Sequence, residues 1–228
     1  YVGYSLYSDT SQGDRMDTRS TTTRVKTTRL SHPDKDQIAL LPAFQGLLLE
    51  QIEQLETDEQ YARALQAIKA AGTVGFDTES KPCFQKGAIS DGPHVVQLAL
   101  ADRAYIIQIG ANPPTGFLQD ILGRADIIKV GFGLKSDRAH LHRKFGIKLA
   151  GVVDLTGPLR ALGYKQVLGV KAAVAVLLGQ NLPKSKSVST SNWARATLEP
   201  RQLLYAANDA YAALRVYQAL QLRTEQGN

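Results

Sequence analysis

The chain reads as an α/β protein built on a mixed sheet, three antiparallel strands followed by parallel ones, with helices on both faces. Three observations carry that reading. Apolar runs of strand length crowd between residues 73 and 109, the second and third parted only by a tight turn near Asp102. After Ile109 strand-like and helix-like segments alternate. From Glu199 to Leu222 a helical apolar period runs unbroken.

Residues 1–36 are rich in Ser, Thr, Arg and Asp, lack apolar periodicity and read as a disordered or loosely attached arm. Met16, the one methionine, is a candidate start that would place residues 1–15 upstream. Residues 37–228 read as a single domain with an N-terminal helical extension. From Ile38 to Ile68 the spacing of apolar residues predicts one or two helices, with Gly72 as the stop. Strands are expected over 73–77, 94–101, 103–109 and 127–131, with a short one at 152–155. Helices are expected over 117–122, 134–145, 155–162, 167–178 and 199–222.

Composition narrows the classes of function. With 228 residues, 43% of them hydrophobic, the chain can bury one full core. The single cysteine, Cys83, excludes an internal disulfide framework and thiolate zinc cages, and points to a reducing, cytoplasmic setting. The longest apolar run, 172–178, is far short of the roughly 20 residues that span a bilayer, so no membrane partner is expected. Net charge is +6. Residues 1–36 hold six Lys or Arg and five Asp, leaving 21 basic and 16 acidic residues beyond the arm. The positive excess belongs to the folded part and favours a polyanionic partner.

Against that basic background stand four carboxylates and a tyrosine in three short, apolar-framed segments. Asp77 and Glu79 lie in Val-Gly-Phe-Asp-Thr-Glu, and Asp137 closes Lys-Val-Gly-Phe-Gly-Leu-Lys-Ser-Asp. Tyr205 and Asp209 lie in Tyr-Ala-Ala-Asn-Asp-Ala-Tyr. Two residues apart on a strand, Asp77 and Glu79 share a face while Thr78 points away. Four apart on a helix, Tyr205 and Asp209 also share a face. Asp137 falls just beyond a strand's C-terminal end, where open α/β sheets display ligand-binding groups. Buried carboxylates need a cation, either Lys or Arg partners or bound metal, and acids from three distant segments suit a hard divalent ion. Each segment alone has a structural explanation; Asp137, for one, would be stabilised by the helix dipole by roughly 0.3 to 1 kcal/mol. Their joint occurrence is harder to assign to structure. A pair of ions would offset the mutual repulsion and is an arrangement used for phosphoryl displacement.

Taken together, the three segments resemble the exonuclease motifs of the DEDD superfamily of 3′–5′ exonucleases, tyrosine subtype. The stretch from Ser191 to Tyr217 is most similar to Werner-type exonuclease domains and their bacterial relatives, and more distantly to ribonuclease D. The likeness covers about residues 70–222. It implies a ribonuclease H-like fold and removal of nucleotides from a 3′ end as nucleoside 5′-monophosphates, with two Mg²⁺ or Mn²⁺ ions. It also implies that Asp77, Glu79, Asp137 and Asp209 are metal ligands and that Tyr205 positions the attacking water. In the histidine subtype a His stands five residues before the last Asp, and Leu204 occupies that position here. Two positions depart from the pattern: Ser80, where Werner-type sequences often carry an aromatic, and Gly133, where many relatives have Asn.

Basic residues flank the acids. Lys81 and Lys86 follow the first motif, while Lys184, Lys186 and Arg195 precede the last helix. Lys184 and Lys186 are candidate phosphate contacts, and Trp193 could stack on a base or anchor the core. The expected substrate is single-stranded or 3′-recessed DNA, RNA or both. Competing readings are a catalytically weak nucleic-acid-binding domain of the same fold and a metal-dependent phosphohydrolase for small nucleotides. The Gly131–Ser136 stretch fails as a phosphate loop because Leu134 replaces the glycine that precedes the lysine. His140 and His142, two apart on a helix, face apart and make poor zinc partners.

Overall fold

A computed structural model describes residues 30–83, 90–164 and 166–226. Among them, six strands form one sheet: β1 (Ile52–Gln54), β2 (Thr73–Glu79), β3 (Val95–Ala99), β4 (Ala104–Gln108), β5 (Ile128–Gly131) and β6 (Val152–Asp154). Their order is β1-β4-β3-β2-β5-β6. The β2, β3 and β4 strands form an antiparallel meander, whereas β5 runs parallel to β2 and β6 parallel to β5. Three antiparallel strands followed by parallel ones is the expected mixed sheet.

Alternation sorts side chains to the two faces. Val74, Phe76, Val96, Leu98 and Ile107 pack toward helices α2 (Asp58–Ala71), α3 (Thr115–Leu122) and α4 (Lys135–Phe145). Val95, Ala99, Ala104 and Ile106 pack toward the last helix, α8 (Pro200–Gln226). At 27 residues, α8 is about 40 Å long and lies across the sheet. Its buried Ala206, Ala207 and Ala210 keep that face thin. The approach is close enough that a Cβ on Gly75 would stand 1.9 Å from the Ala210 carbonyl oxygen, so β2 needs glycine there.

Between β6 and α8 the chain forms α5 (Thr156–Ala161), α6 (Val170–Leu178) and the one-turn α7 (Lys186–Ser189). On the opposite face Lys129 of β5 is fully buried, its ammonium donating to the carbonyls of Ile121 (3.1 Å), Arg124 (2.6 Å) and Ile127 (2.6 Å).

The N-terminal extension departs from expectation. In the region expected to hold helices from Ile38 to Ile68, only α1 (Lys35–Ala39), capped by Asp34, a single 3-10 turn at Leu49–Gln51 and α2 are helical. Pro42 lacks the N–H a continuing helix would need. Beyond it the chain runs across α8 and enters the sheet edge as β1, parallel to β4. Phe44, Leu47 and Ile52 bury their apolar groups against α8 and the sheet instead of forming a helical stripe. Backbone pairing begins earlier than residue 37: the Leu30 N–H donates to the Gly163 carbonyl at 3.0 Å. Most of the expected arm, residues 1–29, lies outside the described residues.

Candidate active site

Asp77 and Glu79 end β2 on the face covered by α8, as their spacing requires. From α8, Asp209 comes down on them: one carboxylate oxygen from each of the three lies within 4.8 Å of the others. Tyr205, one turn earlier on α8, stands beside Asp209. The fourth acid arrives from the opposite face. Asp137, buried in the first turn of α4, accepts a 2.5 Å hydrogen bond from the hydroxyl of Thr78. Thr78 does point away from Asp77 and Glu79, and it thereby meets the helix on the other side. The strand's three consecutive residues thus gather acids from both layers at one sheet end.

The start of α4 is held from β6. Asp154 accepts from the N–H groups of Gly133 (3.1 Å) and Leu134 (2.9 Å), and from the N–H (3.0 Å) and hydroxyl (2.7 Å) of Thr156. Burial alone would raise its pKa, but these donors hold it below the ordinary carboxylate value. The backbone turns sharply at Gly133, at φ 64°, a conformation that glycine adopts without strain and asparagine tolerates. Motif reading missed Thr78 and Asp154. The signal for Thr78 was its place between the two acids; Asp154 carried none without knowledge that β6 lies beside β5.

Electrostatics marks the cluster as short of positive charge. Burial, then the neighbouring Asp209 and Asp137, raise Asp77 well above the carboxylate range. Glu79 is pushed up to about 9 by burial and by Asp77 and Asp209. Burial also raises Asp137, against the bond from Thr78, and Asp209, against Lys184 and the Tyr205 hydroxyl. Tyr205 itself is pushed up to about 12 by burial and by Asp209, so it stays a phenol. A doubly charged cation would reverse the shifts of the acids. An all-oxygen donor set of this density suits a hard ion such as Mg²⁺ or Mn²⁺.

Lys184, in the loop before α7, pairs with Asp209 at 2.7 Å and lies 5.2 Å from the Tyr205 ring centroid. Burial works against its ammonium, but Asp209 outweighs burial and the pKa stands above the ordinary lysine value. Lys186 is exposed on α7, and Lys81 is exposed beyond β2. Lys86 lies outside the described residues. Arg195 pairs with Glu199 at the foot of α8.

Trp193 requires a correction. It is fully buried, donates its indole N–H to the Ser189 carbonyl at 3.2 Å, and packs at 6.0 Å against the Tyr205 ring. It offers no open face to a base. Its size and apolar surface are spent on the core, where it buttresses the tyrosine.

Comparisons with known proteins bear on the family and the fold. The profile of the 3′–5′ exonuclease family matches residues 52–225. Over 151 residues, 64% of this chain, the sequence is 36% identical to the mouse bifunctional 3′–5′ exonuclease/ATP-dependent helicase WRN. Over 189 residues it is 29% identical to a 3′–5′ exonuclease of Arabidopsis thaliana. The matches span 11% and 64% of those two proteins' lengths, so the chain corresponds to a part of each. Among solved structures, the EXO domain of Aedes aegypti Nibbler superposes with a TM-score of 0.68 at 22% identity, covering 81% of this chain and 93% of that one. Trypanosoma brucei RNase D in complex with RNA U12 superposes with a TM-score of 0.66 at 20% identity, covering 74% and 62%. The acidic sheet end, the mixed six-strand sheet and the matched span lead to one conclusion: this chain belongs to the 3′–5′ exonuclease family.

Proposed function

We propose that this site hydrolyses the last phosphodiester bond at a nucleic-acid 3′ end. Water adds to phosphorus, the bond to the 3′ oxygen of the preceding nucleotide breaks, and that oxygen takes up a proton. The products are a nucleoside 5′-monophosphate and a strand one nucleotide shorter, ending in a 3′ hydroxyl. The observation that carries the reading is the meeting of three carboxylates within 4.8 Å, with a phenol one helical turn away.

In this reading Asp77, Glu79 and Asp209 would hold one divalent ion, and Asp137 would help to hold a second. Mg²⁺ or Mn²⁺ bound there would supply Lewis-acid polarisation of the phosphate and a metal-activated water as nucleophile. Tyr205, kept protonated, has a donor to orient the attacking water or the scissile phosphate; the role depends on placement rather than on a shifted pKa. Lys184 brings an ammonium to the same edge and is placed to meet a phosphate oxygen. The Trypanosoma RNase D complex with RNA supports a nucleic-acid substrate for this fold. We extend that to single-stranded or 3′-recessed DNA or RNA.

Single-turnover digestion of 3′-labelled single-stranded DNA, recessed duplex and RNA, with Mg²⁺ or Mn²⁺, tests the reading. Asp77→Asn and Asp209→Asn are expected to lose at least about a thousandfold in rate, roughly 4 kcal/mol. Equal rates for wild type and both variants would end it.

A further inference from the structure

Helix α4 carries four basic side chains on one exposed face. Lys135, Arg138, His142 and Arg143 stand at i, i+3, i+7 and i+8, a spacing that lines them up along the helix, while Asp137 and Leu141 are buried on the other side. Asp137 is the one carboxylate of the helix, and it is turned inward to Thr78. Among the described residues none of the four basic side chains has an ion-pair partner. Like charges one turn apart weaken a helix. The helix dipole accounts for His142 and Arg143 in the last turn, but its positive end disfavours Lys135 and Arg138 at the start. The two cations nearest the acids are thus the two that local structure does not explain.

Both ends of α4 are fixed at the acidic end of the sheet. Asp154 of β6 holds the start through the N–H groups of Gly133 and Leu134. At the other end Arg143 donates to the Ser90 carbonyl at 2.7 Å, and Lys144 to the carbonyls of Asp91 (2.8 Å) and Pro93 (2.9 Å). Those three residues lead into β3, whose first residue, Val95, pairs with Glu79. Gly92 among them lies so near Ser80 that a Cβ there would stand 2.0 Å from the Ser80 Oγ. The basic face is therefore held along the rim that carries the acids, and from Lys135 to Arg143 it rises about 12 Å.

Resting on the nuclease reading above, we infer that the exposed face of α4 binds phosphates of the cleaved strand on the 5′ side of the scissile bond. A row of cations fits a row of anions: phosphates of one duplex strand rise about 3.4 Å apart, so roughly 12 Å of helix takes three or four of them. Lys135 stands two residues from Asp137, which starts the row beside the acids. That continuity favours the strand whose 3′ end the acids hold over its complement, which a duplex keeps on its far side. The face belongs to the layer opposite α8, so this contact is separate from Lys184. Contacts to phosphate fix the register of a strand without reading its bases.

The test compares wild type with the double variant Lys135→Gln/Arg138→Gln on a dinucleotide, a single strand long enough to pass α4, and the same strand recessed on a complement. A dinucleotide has no phosphodiester beyond the scissile one, so both proteins should digest it with equal kcat/KM. On the single strand the variant is expected to lose about tenfold or more through a raised KM. The slope of log affinity against log salt, read by fluorescence anisotropy of that strand with Ca²⁺ in place of Mg²⁺, should become shallower by about 1.4, or 0.7 for each lost contact. Lys135→Arg/Arg138→Lys, which keeps both charges, should restore the slope. Lys69→Gln, which removes an exposed charge beside Gly72 at the other end of β2, should leave rate and slope unchanged. An equal loss on the dinucleotide would place the two residues in the reaction centre, and a loss confined to the recessed duplex would assign the face to the complement; either overturns the inference. So does an unchanged slope. A wild-type chain that digests none of the three substrates would end the nuclease reading, a result distinct from an unchanged slope.

Discussion

The Thr78 hydroxyl donates to the Asp137 carboxylate at 2.5 Å, joining the middle of the Asp-Thr-Glu motif to an acid 59 residues away on the opposite layer. This bond sets the direction of the one site carboxylate that does not come from the face covered by α8. A hydrogen bond to a charged group is worth roughly 1.5 to 3 kcal/mol, or about tenfold to a hundredfold in rate if all of it serves the transition state. Thr78→Val is expected to lose about tenfold or more in exonuclease rate while melting within a few degrees of wild type. Thr78→Ser should recover most of the rate. A Thr78→Val enzyme at full rate would show that Asp137 is oriented by other means.

Stability without metal should fall as pH rises. The folded state raises Glu79 from 4.5 to about 9, and Asp77, Asp137 and Asp209 move in the same direction. Between those values the folded chain keeps protons that the unfolded chain has released, so the stabilisation is complete below about pH 4.5 and is lost by about pH 9. Melting temperature in a chelator should therefore decline across that window, and less steeply in Glu79→Gln. Mn²⁺ should raise it most at the alkaline end, because an ion binds deprotonated carboxylates. A flat profile in the chelator would mean that the acids are neither desolvated nor close enough to repel.

Lys129 supports the sheet from the face opposite α8. Its ammonium serves three backbone carbonyls at the end of α3 and the start of β5. Replacing it with methionine fills the same space but leaves those carbonyls without a donor, at about 1 to 3 kcal/mol for a buried unsatisfied group. Urea denaturation of Lys129→Met should show a loss of about that size, with the exonuclease rate per folded molecule unchanged. Increased stability would mean that desolvating the ammonium costs more than the three bonds return.

Trp193 should matter to the fold and to Tyr205 rather than to affinity. Trp193→Ala is expected to cost about 3 to 5 kcal/mol in stability, in line with other buried aromatic truncations. Trp193→Phe, which keeps a ring beside Tyr205, should bind a 3′-labelled strand as tightly as wild type by fluorescence anisotropy. A tenfold loss of affinity in a well-folded Trp193→Phe would return the indole to the substrate.

The sequence by itself determined five of the six strands, β2 to β6, and the acids. Alternation at β2 placed Asp77 and Glu79 on one face, helical spacing placed Tyr205 with Asp209, the tight turn paired β3 with β4, and the later strands followed from their alternation with helices. These are local properties, since a strand or helix of given period presents its residues in a set direction wherever it is packed. Packing between distant segments decided the rest. Phe44, Leu47 and Ile52 have a spacing that fits a helix, yet α8 and the open edge of β4 offered them burial as an extended segment and a strand. Trp193 could have faced solvent or core until α8 placed Tyr205 against it. Thr78 became a partner of Asp137 because α4 begins beside the end of β2, and Lys184 of Asp209 because the loop before α7 lies against the middle of α8. Such contacts are set by which surfaces meet, and no period along the chain records that.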